Sequence, residues 1–183
     1  MRNSLIILLF LGIWSCKGPE PRRPVQTKSG SFFKESIERS KKLLAVEEKR
    51  IQEIIKNDSL RHYTHSANGS WYHYHITNDV DTYVPKENDL VVMNYDLRTL
   101  DNDTIYSLNE IGTRSYKVDK EKLFPGLREA VKILKEGEKA TFLFPSSIGF
   151  GYHGDDNKIG SNVPLKSTIS ILKIEKQEEN VEN

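Results

Sequence analysis

LFPGLREAVKILKEGEKATFLFP, residues 123–145, changes its hydrophobic period midway, and this change indicates the fold class. Four apolar side chains in its first half fall at helical spacing: Leu127, Ala130, Val131 and Leu134. Pro125 suits a first helical turn and Gly137 suits the residue after a helix, so the pattern predicts one short helix between them. From Lys139 to Pro145 the helical spacing is lost, and the apolar run predicts a strand.

The segments around this helix have the patterns of β-strands. They occupy residues 71–76, 89–100, 104–106, 116–118 and 167–174. In the second of these segments alternate residues are apolar, from Val91 to Leu97. One short helix covers only one face of a sheet, so we expect an α+β fold with a strongly curved antiparallel sheet.

The loop FPSSIGFGYHG, residues 144–154, is unusually apolar for a connection between two strands. Loops are usually polar, because their backbone stays in contact with water. An apolar loop directly after a strand end therefore predicts one wall of a binding pocket.

The first residues carry a targeting segment and a tether. Residues 1–15 combine Arg2 with an apolar run too short to span a bilayer, which predicts a lipoprotein signal peptide. Cys16 is the single cysteine and follows a segment that resembles a bacterial lipobox, so we expect it to be lipidated. The alternative is a plain signal peptide with an incidental cysteine. Residues 16–31 are rich in proline, glycine and charge, which indicates a tether.

A charged helix is predicted over residues 32–60, where Ile37, Leu44 and Ile51 repeat every seven positions. Its apolar stripe is thin and leaves two interpretations. Either the helix packs on its own domain, or it is a spacer that forms a homodimer through residues 33–56. The remaining segments are an N-terminal strand region (61–87), the principal domain (88–176) and a disordered tail (177–183).

Charge and motifs argue against several function classes. A net charge of +1 over 183 residues gives no electrostatic reason to expect a nucleic-acid partner. No motif places a nucleophile beside a base, no phosphate loop is present, and we expect no cofactor or metal. His73 and His75 share one strand face, but nothing nearby completes a metal site, so we interpret them as part of an aromatic strand. Asp155-Asp156-Asn157 is interpreted as a solvated turn rather than a calcium loop.

From Asn88 to Glu175 the sequence resembles the FKBP-type peptidyl-prolyl cis-trans isomerases. Four segments carry the resemblance, in order: VVMNYDLRTLDNDTIYS, LFPGLREAVKILKEGEKATFLFP, IGFGYHG and VPLKSTISILKI. With the lipobox, the charged helix and ANGSWYHYH, the chain is similar to the gliding-motility-associated FKBP lipoproteins of the Bacteroidetes. The resemblance implies an FKBP-like curved antiparallel sheet of five or six strands wrapped around one short helix, with an N-terminal helical extension.

The resemblance also implies a pocket for a prolyl ring between sheet and helix. Five positions are expected to act in catalysis: Tyr95, Ile105, Phe124, Leu127 and Phe150. Five more are expected to bind substrate: Tyr106, Tyr116, Leu123, Val163 and Ile171. Among these, Leu127 is the expected floor and Tyr116 is expected near the rim. The chain departs from the family pattern where Leu127 replaces a tryptophan, Tyr106 replaces an acid and Phe150 replaces a tyrosine.

The implied function is a lipid-anchored peptidyl-prolyl cis-trans isomerase that acts on Xaa-Pro segments and assists the folding of exported proteins, including gliding-motility machinery. Its implied place is the cell envelope, on the periplasmic side of the outer membrane. The alternative is a non-catalytic FKBP-fold chaperone or scaffold for secretion or motility components. The three departures favour this alternative, whereas the otherwise full set of pocket residues favours the enzyme.

Overall fold

The computed structural model describes residues 29–177, with side chains from residue 33 onward. The predicted signal peptide, the lipidation site Cys16, most of the predicted tether and residues 178–183 of the predicted tail lie outside the described residues. The chain divides into two compact units, and the second, Glu38–Asn183, contains the strands of the described residues. Within 29–177, no helix combines the length and the hydrophobicity that a membrane span requires.

The described helices are α1 (Ser29–Asn57), α2 (Leu108–Ile111) and α3 (Pro125–Val131), with a 3-10 turn at Ser146–Ile148. The strands are β1 (Thr64–His65), β2 (Trp71–Ile76), β3 (Leu90–Tyr95), β4 (Leu97–Thr99), β5 (Thr104–Tyr106), β6 (Arg114–Lys117), β7 (Lys139–Phe144) and β8 (Leu165–Glu175). The charged helix predicted within 32–60 is therefore α1, which begins earlier, at Ser29, and ends at Asn57.

All strand pairs are antiparallel and form one sheet in the order β1-β2-β7-β8-β3-β6, with β4 beside β8 and β5 beside β4. This confirms the predicted α+β class, the antiparallel sheet and the N-terminal helix. The sheet of the described residues has eight strands rather than five or six. The two additional strands are β1, which is only two residues long, and β4, which the sequence pattern did not separate from β3.

Asp96 divides the predicted strand 89–100 into β3 and β4. Its buried carboxylate accepts hydrogen bonds from the Thr168 N–H at 2.8 Å and from Arg98 Nε at 2.7 Å. Its carbonyl oxygen accepts a bond from the Ser167 hydroxyl at 2.7 Å. A buried carboxylate is costly without such partners, so the interruption at Asp96 is stabilised by its own hydrogen bonds.

α3 covers one face of the sheet, and the four residues predicted for its apolar stripe are fully buried. The helix ends at Val131, however, rather than just before Gly137. Beyond it, the Lys135 N–H donates to the Glu138 carboxylate at 2.9 Å, and the Gly137 N–H donates to the Ile171 carbonyl at 2.9 Å. These bonds tie the segment to β8 and its neighbours, so they replace further helical turns.

β7 is buried on both faces, which explains why Phe142, Leu143 and Phe144 follow one another without a polar residue. Phe142 and Phe144 belong to the cluster beneath α3. Leu143, between them, points to the other face and packs in a second cluster with Ile51 of α1, Tyr63 and Leu100. Because Ile51 has no exposed surface, the structure agrees with the interpretation that α1 packs on its own domain.

Candidate active site

A cavity of about 370 Å³ opens where β3, β5, α2, β6 and the loop after β7 meet. Its walls combine aromatic, aliphatic and charged side chains: Tyr95, Leu97, Tyr106, Glu110, Ile111, Arg114, Phe150 and Asp155. Ring surface with a few convergent polar groups suits a ligand that has an apolar ring and a polar backbone.

Phe150 forms one wall because the loop after β7 folds back on α3. Its ring lies 5.1 Å from the ring of Phe124, the residue that precedes α3, and Phe124 lies edge-on to Phe144 at 5.4 Å. Gly126 permits this close approach. A Cβ at that position would lie 2.6 Å from Phe144 Cδ1 and 2.9 Å from the carbonyl oxygen of Ile148. The glycine therefore lets α3 pack directly beneath the loop.

Tyr106 and Asp155 join the far end of the same loop to β5. The Tyr106 hydroxyl donates to the Asp155 carboxylate, which also accepts from the backbone N–H groups of Asn157 (3.0 Å) and Ile159 (2.7 Å). Burial raises the pKa of Asp155, but the hydrogen bonds outweigh this effect and hold the pKa below its ordinary 3.8. The bond to Asp155 raises the pKa of Tyr106. Asp155 is half-buried and organises the loop, whereas Asp156 and Asn157 are exposed, so the interpretation of 155–157 as a solvated turn needs correction at Asp155 alone.

Polar groups on the other side of the cavity come from Tyr95, Glu110 and Arg114. Burial raises the pKa of Tyr95 above its ordinary 10.0, so its hydroxyl is protonated and can donate at neutral pH. Glu110 pairs with Lys158, and this bond lowers the pKa of Glu110. The Lys158 ammonium also lies 4.8 Å from the centre of the Tyr106 ring. The cavity therefore has hydrogen-bond donors in its lining, from Tyr95 and Arg114.

The structure brings all ten pocket residues of the sequence analysis into one hydrophobic cluster. Four are buried within it: Tyr116, Phe124, Leu127 and Ile171. Six are half-buried and pack against it: Tyr95, Ile105, Tyr106, Leu123, Phe150 and Val163. Of these, Tyr95, Tyr106 and Phe150 line the cavity itself.

Tyr116 does not lie near the rim, where the sequence analysis expected it. Its side chain is only 2% exposed, and its hydroxyl accepts a hydrogen bond from the Asp119 N–H at 3.1 Å. Tyr116 pairs with Val91 in the middle of the core, whereas Arg114 pairs with Met93, closer to the end of β3 where the cavity opens. Strand register therefore places Arg114, not Tyr116, at the cavity.

Sequence reasoning did not assign five lining residues to the site: Leu97, Glu110, Ile111, Arg114 and Asp155. The sequence contains a pattern that could have identified Arg114, because alternate residues of a strand share a face and Arg114 lies two positions before Tyr116. For Glu110 and Ile111 the pattern is SLNE at 107–110, which matches a capping box and predicts the start of a helix. In the structure the Ser107 side chain does accept a bond from the Glu110 N–H at 3.3 Å, at the start of α2.

The histidine pair of β2 makes aromatic and hydroxyl contacts. The buried His73 ring lies 4.8 Å from the ring of Tyr63 and 4.6 Å from that of His75, and His75 Nε2 lies 2.7 Å from Thr141 Oγ1. Burial lowers the pKa of both imidazoles. Across the residues that the structure describes, no three His, Cys, Asp or Glu side chains are grouped so as to hold a metal ion.

The sequence model of the family "FKBP-type peptidyl-prolyl cis-trans isomerase" matches residues 82–172. A protein of Neisseria meningitidis serogroup B, described as a probable FKBP-type peptidyl-prolyl cis-trans isomerase FkpA, is 31% identical over 101 residues. That match spans 55% of this chain but only 37% of the relative's length.

Two solved structures share the fold, each with a TM-score of 0.59. The peptidyl-prolyl cis-trans isomerase of Pseudomonas syringae pv. tomato is 17% identical, with 75% of this chain and 96% of that chain covered. FkpA from Escherichia coli is 19% identical, with 96% of this chain and 83% of that chain covered. The family match, the shared fold and the aromatic cavity lead to one assignment: residues 82–172 of this chain are an FKBP-type peptidyl-prolyl cis-trans isomerase domain.

Proposed function

We propose that this protein is a peptidyl-prolyl cis-trans isomerase that acts on Xaa-Pro segments of polypeptides. The observation that carries the proposal is the cavity of about 370 Å³ on an FKBP fold, lined by the rings of Tyr95, Tyr106 and Phe150. A pyrrolidine ring is the apolar group that such aromatic walls would enclose, and the polar lining residues suit the flanking peptide backbone.

The chemistry requires neither an acid, a base nor a metal. Rotation about an Xaa-Pro amide crosses a barrier of ~18–20 kcal/mol, and the uncatalysed reaction takes tens of seconds or longer. Twisting the amide removes its resonance and makes it less dipolar, so an apolar cavity stabilises the twisted form relative to the planar one. Tyr95 and Phe150 would hold the prolyl ring while the preceding carbonyl turns, with donors from Tyr95 and Arg114 at its sides. An acceleration of ~10⁶-fold needs about 8 kcal/mol of this differential stabilisation.

Two departures from the family pattern predict a slow enzyme. Phe150 lacks the hydroxyl that the family's tyrosine would offer to a substrate carbonyl, and one lost hydrogen bond costs ~1 kcal/mol, about fivefold in rate. Leu127 replaces the tryptophan expected at the floor and is fully buried in the core. It therefore offers less surface to the prolyl ring than an exposed indole.

The test is a protease-coupled isomerisation assay of the full chain on Leu-Pro and Ala-Pro peptides. We expect acceleration by the wild type and at least a tenfold loss, on the order of 1.4 kcal/mol, in Phe150→Asp, because a charge in the apolar wall disfavours ring binding. Tyr152→Ala changes an exposed ring of the same loop and is the matched control, which should stay active. A folded wild type that gives no acceleration would contradict the proposal.

A second candidate is a non-catalytic FKBP-fold chaperone or scaffold for secretion or motility components. It is favoured by the complete burial of Leu127 and by the bond that engages the Tyr106 hydroxyl with Asp155. Such a protein would bind proline-containing chains and suppress their aggregation without changing the isomerisation rate. Aggregation assays run beside the isomerisation assay separate the two candidates.

For the cellular role, we propose that lipid on Cys16 anchors the protein at the periplasmic side of the outer membrane. There it would assist the folding of exported proteins, including components of gliding motility. The support is the signal-like segment 1–15 and the lipobox-like residues before Cys16. Cys16→Ser should move the protein from the membrane fraction to the soluble fraction, and continued sedimentation with membranes would contradict the anchor.

A homodimer through residues 33–56 is a separate proposal about α1. Glu47 and Ile51 are buried against their own domain, so a dimer would have to use other side chains such as Val46, which is 67% exposed. Analytical ultracentrifugation of the Cys16→Ser variant, which is expected in the soluble fraction, tests this. A monomer at micromolar concentration would reject the dimer.

A further inference from the structure

α1 makes a buried contact with the loop after β7 that carries Phe150, which is called the site loop below. The proposed isomerisation mechanism does not involve this contact. Glu47 is 5% exposed, and both of its carboxylate oxygens accept hydrogen bonds from Ser146. Oε2 accepts from the Ser146 backbone N–H at 2.8 Å, and Oε1 accepts from the Ser146 hydroxyl at 2.7 Å. Ser146 begins the 3-10 turn after β7. This contact therefore joins the N-terminal helix to the loop that carries Phe150.

Ser146 is in turn bonded to both neighbours of Phe150. Its carbonyl oxygen accepts hydrogen bonds from the N–H groups of Gly149 at 3.0 Å and Gly151 at 2.9 Å. A single carbonyl group thus holds the backbone on either side of Phe150, and Glu47 holds the residue that bears this carbonyl. The path from α1 to the cavity wall consists of four hydrogen bonds.

Packing of the helix alone does not explain an acidic residue at this position. Glu47 lies between Leu44 and Ile51, whose apolar seam an aliphatic side chain would continue. Burying a carboxylate is costly unless it is hydrogen-bonded, and the two bonds to Ser146 supply that compensation. The role of Glu47 therefore lies in its contact with the loop.

Helix and loop are not packed against each other along their whole length. Between them lies a groove of about 260 Å³, with Leu43, Leu44 and Glu47 on the helix side and Ser146, Ser147 and Tyr152 among the residues on the loop side. The hydrogen bonds between Glu47 and Ser146 lie at the edge of this groove. They therefore restrain the loop at a point where side chains do not fill the space between helix and loop.

We infer that Glu47 is a positioning residue for the isomerase site, which through Ser146 holds Phe150 at the cavity. α1 is then part of the site rather than only a spacer. The inference rests on the proposed function, since the position of Phe150 affects turnover only if the cavity takes a prolyl ring.

The test compares kcat/KM of the full chain on an Ala-Pro peptide in the wild type, Glu47→Ala and Glu47→Gln. Alanine removes both acceptors, and kcat/KM should fall about tenfold. This is less than the ~100-fold that a 1 Å misplacement can cost, because the Gly149 N–H keeps its second bond, to the Pro145 carbonyl at 3.2 Å. Glutamine should restore kcat/KM to within about twofold, since its oxygen accepts from the Ser146 N–H while its amide donates to the hydroxyl. Hydrogen exchange of the Gly149 and Gly151 N–H groups should accelerate in the alanine variant only.

Two controls on the same helix separate this role from helix stability. Glu48→Ala removes an exposed charge next to Glu47, and Ile51→Val loosens the packing one turn further on without touching Ser146. Both should keep kcat/KM within about twofold of the wild type, a change too small to indicate a displaced contact. Should Glu47→Ala fail to fold, Ser146→Ala removes one of the two bonds and should still lower kcat/KM severalfold.

Unchanged kcat/KM in a folded Glu47→Ala overturns the inference. An equal loss in Ile51→Val also overturns it, because docking of the helix in general would then set the loop. If the wild type itself gives no acceleration, the proposed function fails. Exchange at Gly149 and Gly151 then still decides whether Glu47 holds the loop, and unchanged exchange in Glu47→Ala overturns that point too.

Discussion

The two faces of β7 are covered by helices in different ways. On one face, Phe142 and Phe144 pack beneath α3 in an apolar cluster that continues to the cavity wall. On the other, Leu143 packs with Ile51 of α1 in a smaller cluster that also contains Tyr63, beside the imidazole of His73. One strand thus supports a large apolar base for the pocket on one side and a smaller, partly polar attachment of the N-terminal helix on the other.

The largest effect is expected from truncation on the α3 face. Phe144 is fully buried, stacked at 5.6 Å on Phe142 and edge-on to Phe124. Phe144→Ala should lower the free energy of unfolding by about 3–5 kcal/mol, because it removes apolar burial and leaves a cavity. Urea denaturation measures this loss, and a value under ~1 kcal/mol would show that the face is not close-packed.

Truncation on the α1 face should have a smaller effect. Ile51→Ala removes a fully buried side chain, but its cluster consists of few residues, chiefly Tyr63, Leu100 and Leu143. We expect a loss of about 2–3 kcal/mol, at the lower end for an Ile→Ala change. The comparison between the two faces fails if Ile51→Ala costs more in urea denaturation than Phe144→Ala.

Overpacking should also distinguish the α3 face. Gly126→Ala places a Cβ against Phe144 and the carbonyl of Ile148, so we expect a destabilisation of about 1–2 kcal/mol and slower peptide isomerisation. Gly160→Ala is the matched control, because a Cβ there meets nothing within 4 Å. Thermal unfolding of both variants measures the difference, and equal midpoints would argue against tight contact between α3 and the loop.

The smallest effect is expected from pH and should arise on the α1 face. Burial lowers the pKa of His73 below its ordinary 6.5, and His75 and Arg61 act in the same direction. The hydrogen bond to the Tyr74 carbonyl and the charge of Asp58 oppose this shift without cancelling it. Near and below pH 6.5 the imidazole is therefore protonated to a greater extent in the unfolded state than in the folded state. The free energy of unfolding should decrease as the pH falls from 7.5 to 5.5.

His73→Gln should reduce this slope, and Phe144→Ala, on the other face, should leave it unchanged. The measurement is the free energy of unfolding in urea at the two pH values. If the wild type becomes more stable as the pH falls from 7.5 to 5.5, the pKa of His73 is not lowered by folding and the prediction is wrong.

Local sequence patterns were sufficient for the main elements and for the cluster beneath α3. Helical spacing identified Leu127 and Val131 as core residues, and strand alternation identified Val91 and Met93, all of which are fully buried. These patterns can be read from the sequence because the residues that face the core recur about every 3.6 positions in a helix and every two positions in a strand. The end of α3 was misjudged, since Gly137 is bonded to β8, which follows much later in the chain.

Contacts between distant segments determined which residues reach the cavity. The pairing of β6 with β3 puts Arg114 there and buries Tyr116, although both lie on one strand face. Asp155 enters the site through a bond to Tyr106, and Glu47 reaches the site loop through Ser146, 99 positions away. A periodic pattern states which face of an element is apolar, but strand register and loop closure depend on partners that the pattern does not contain.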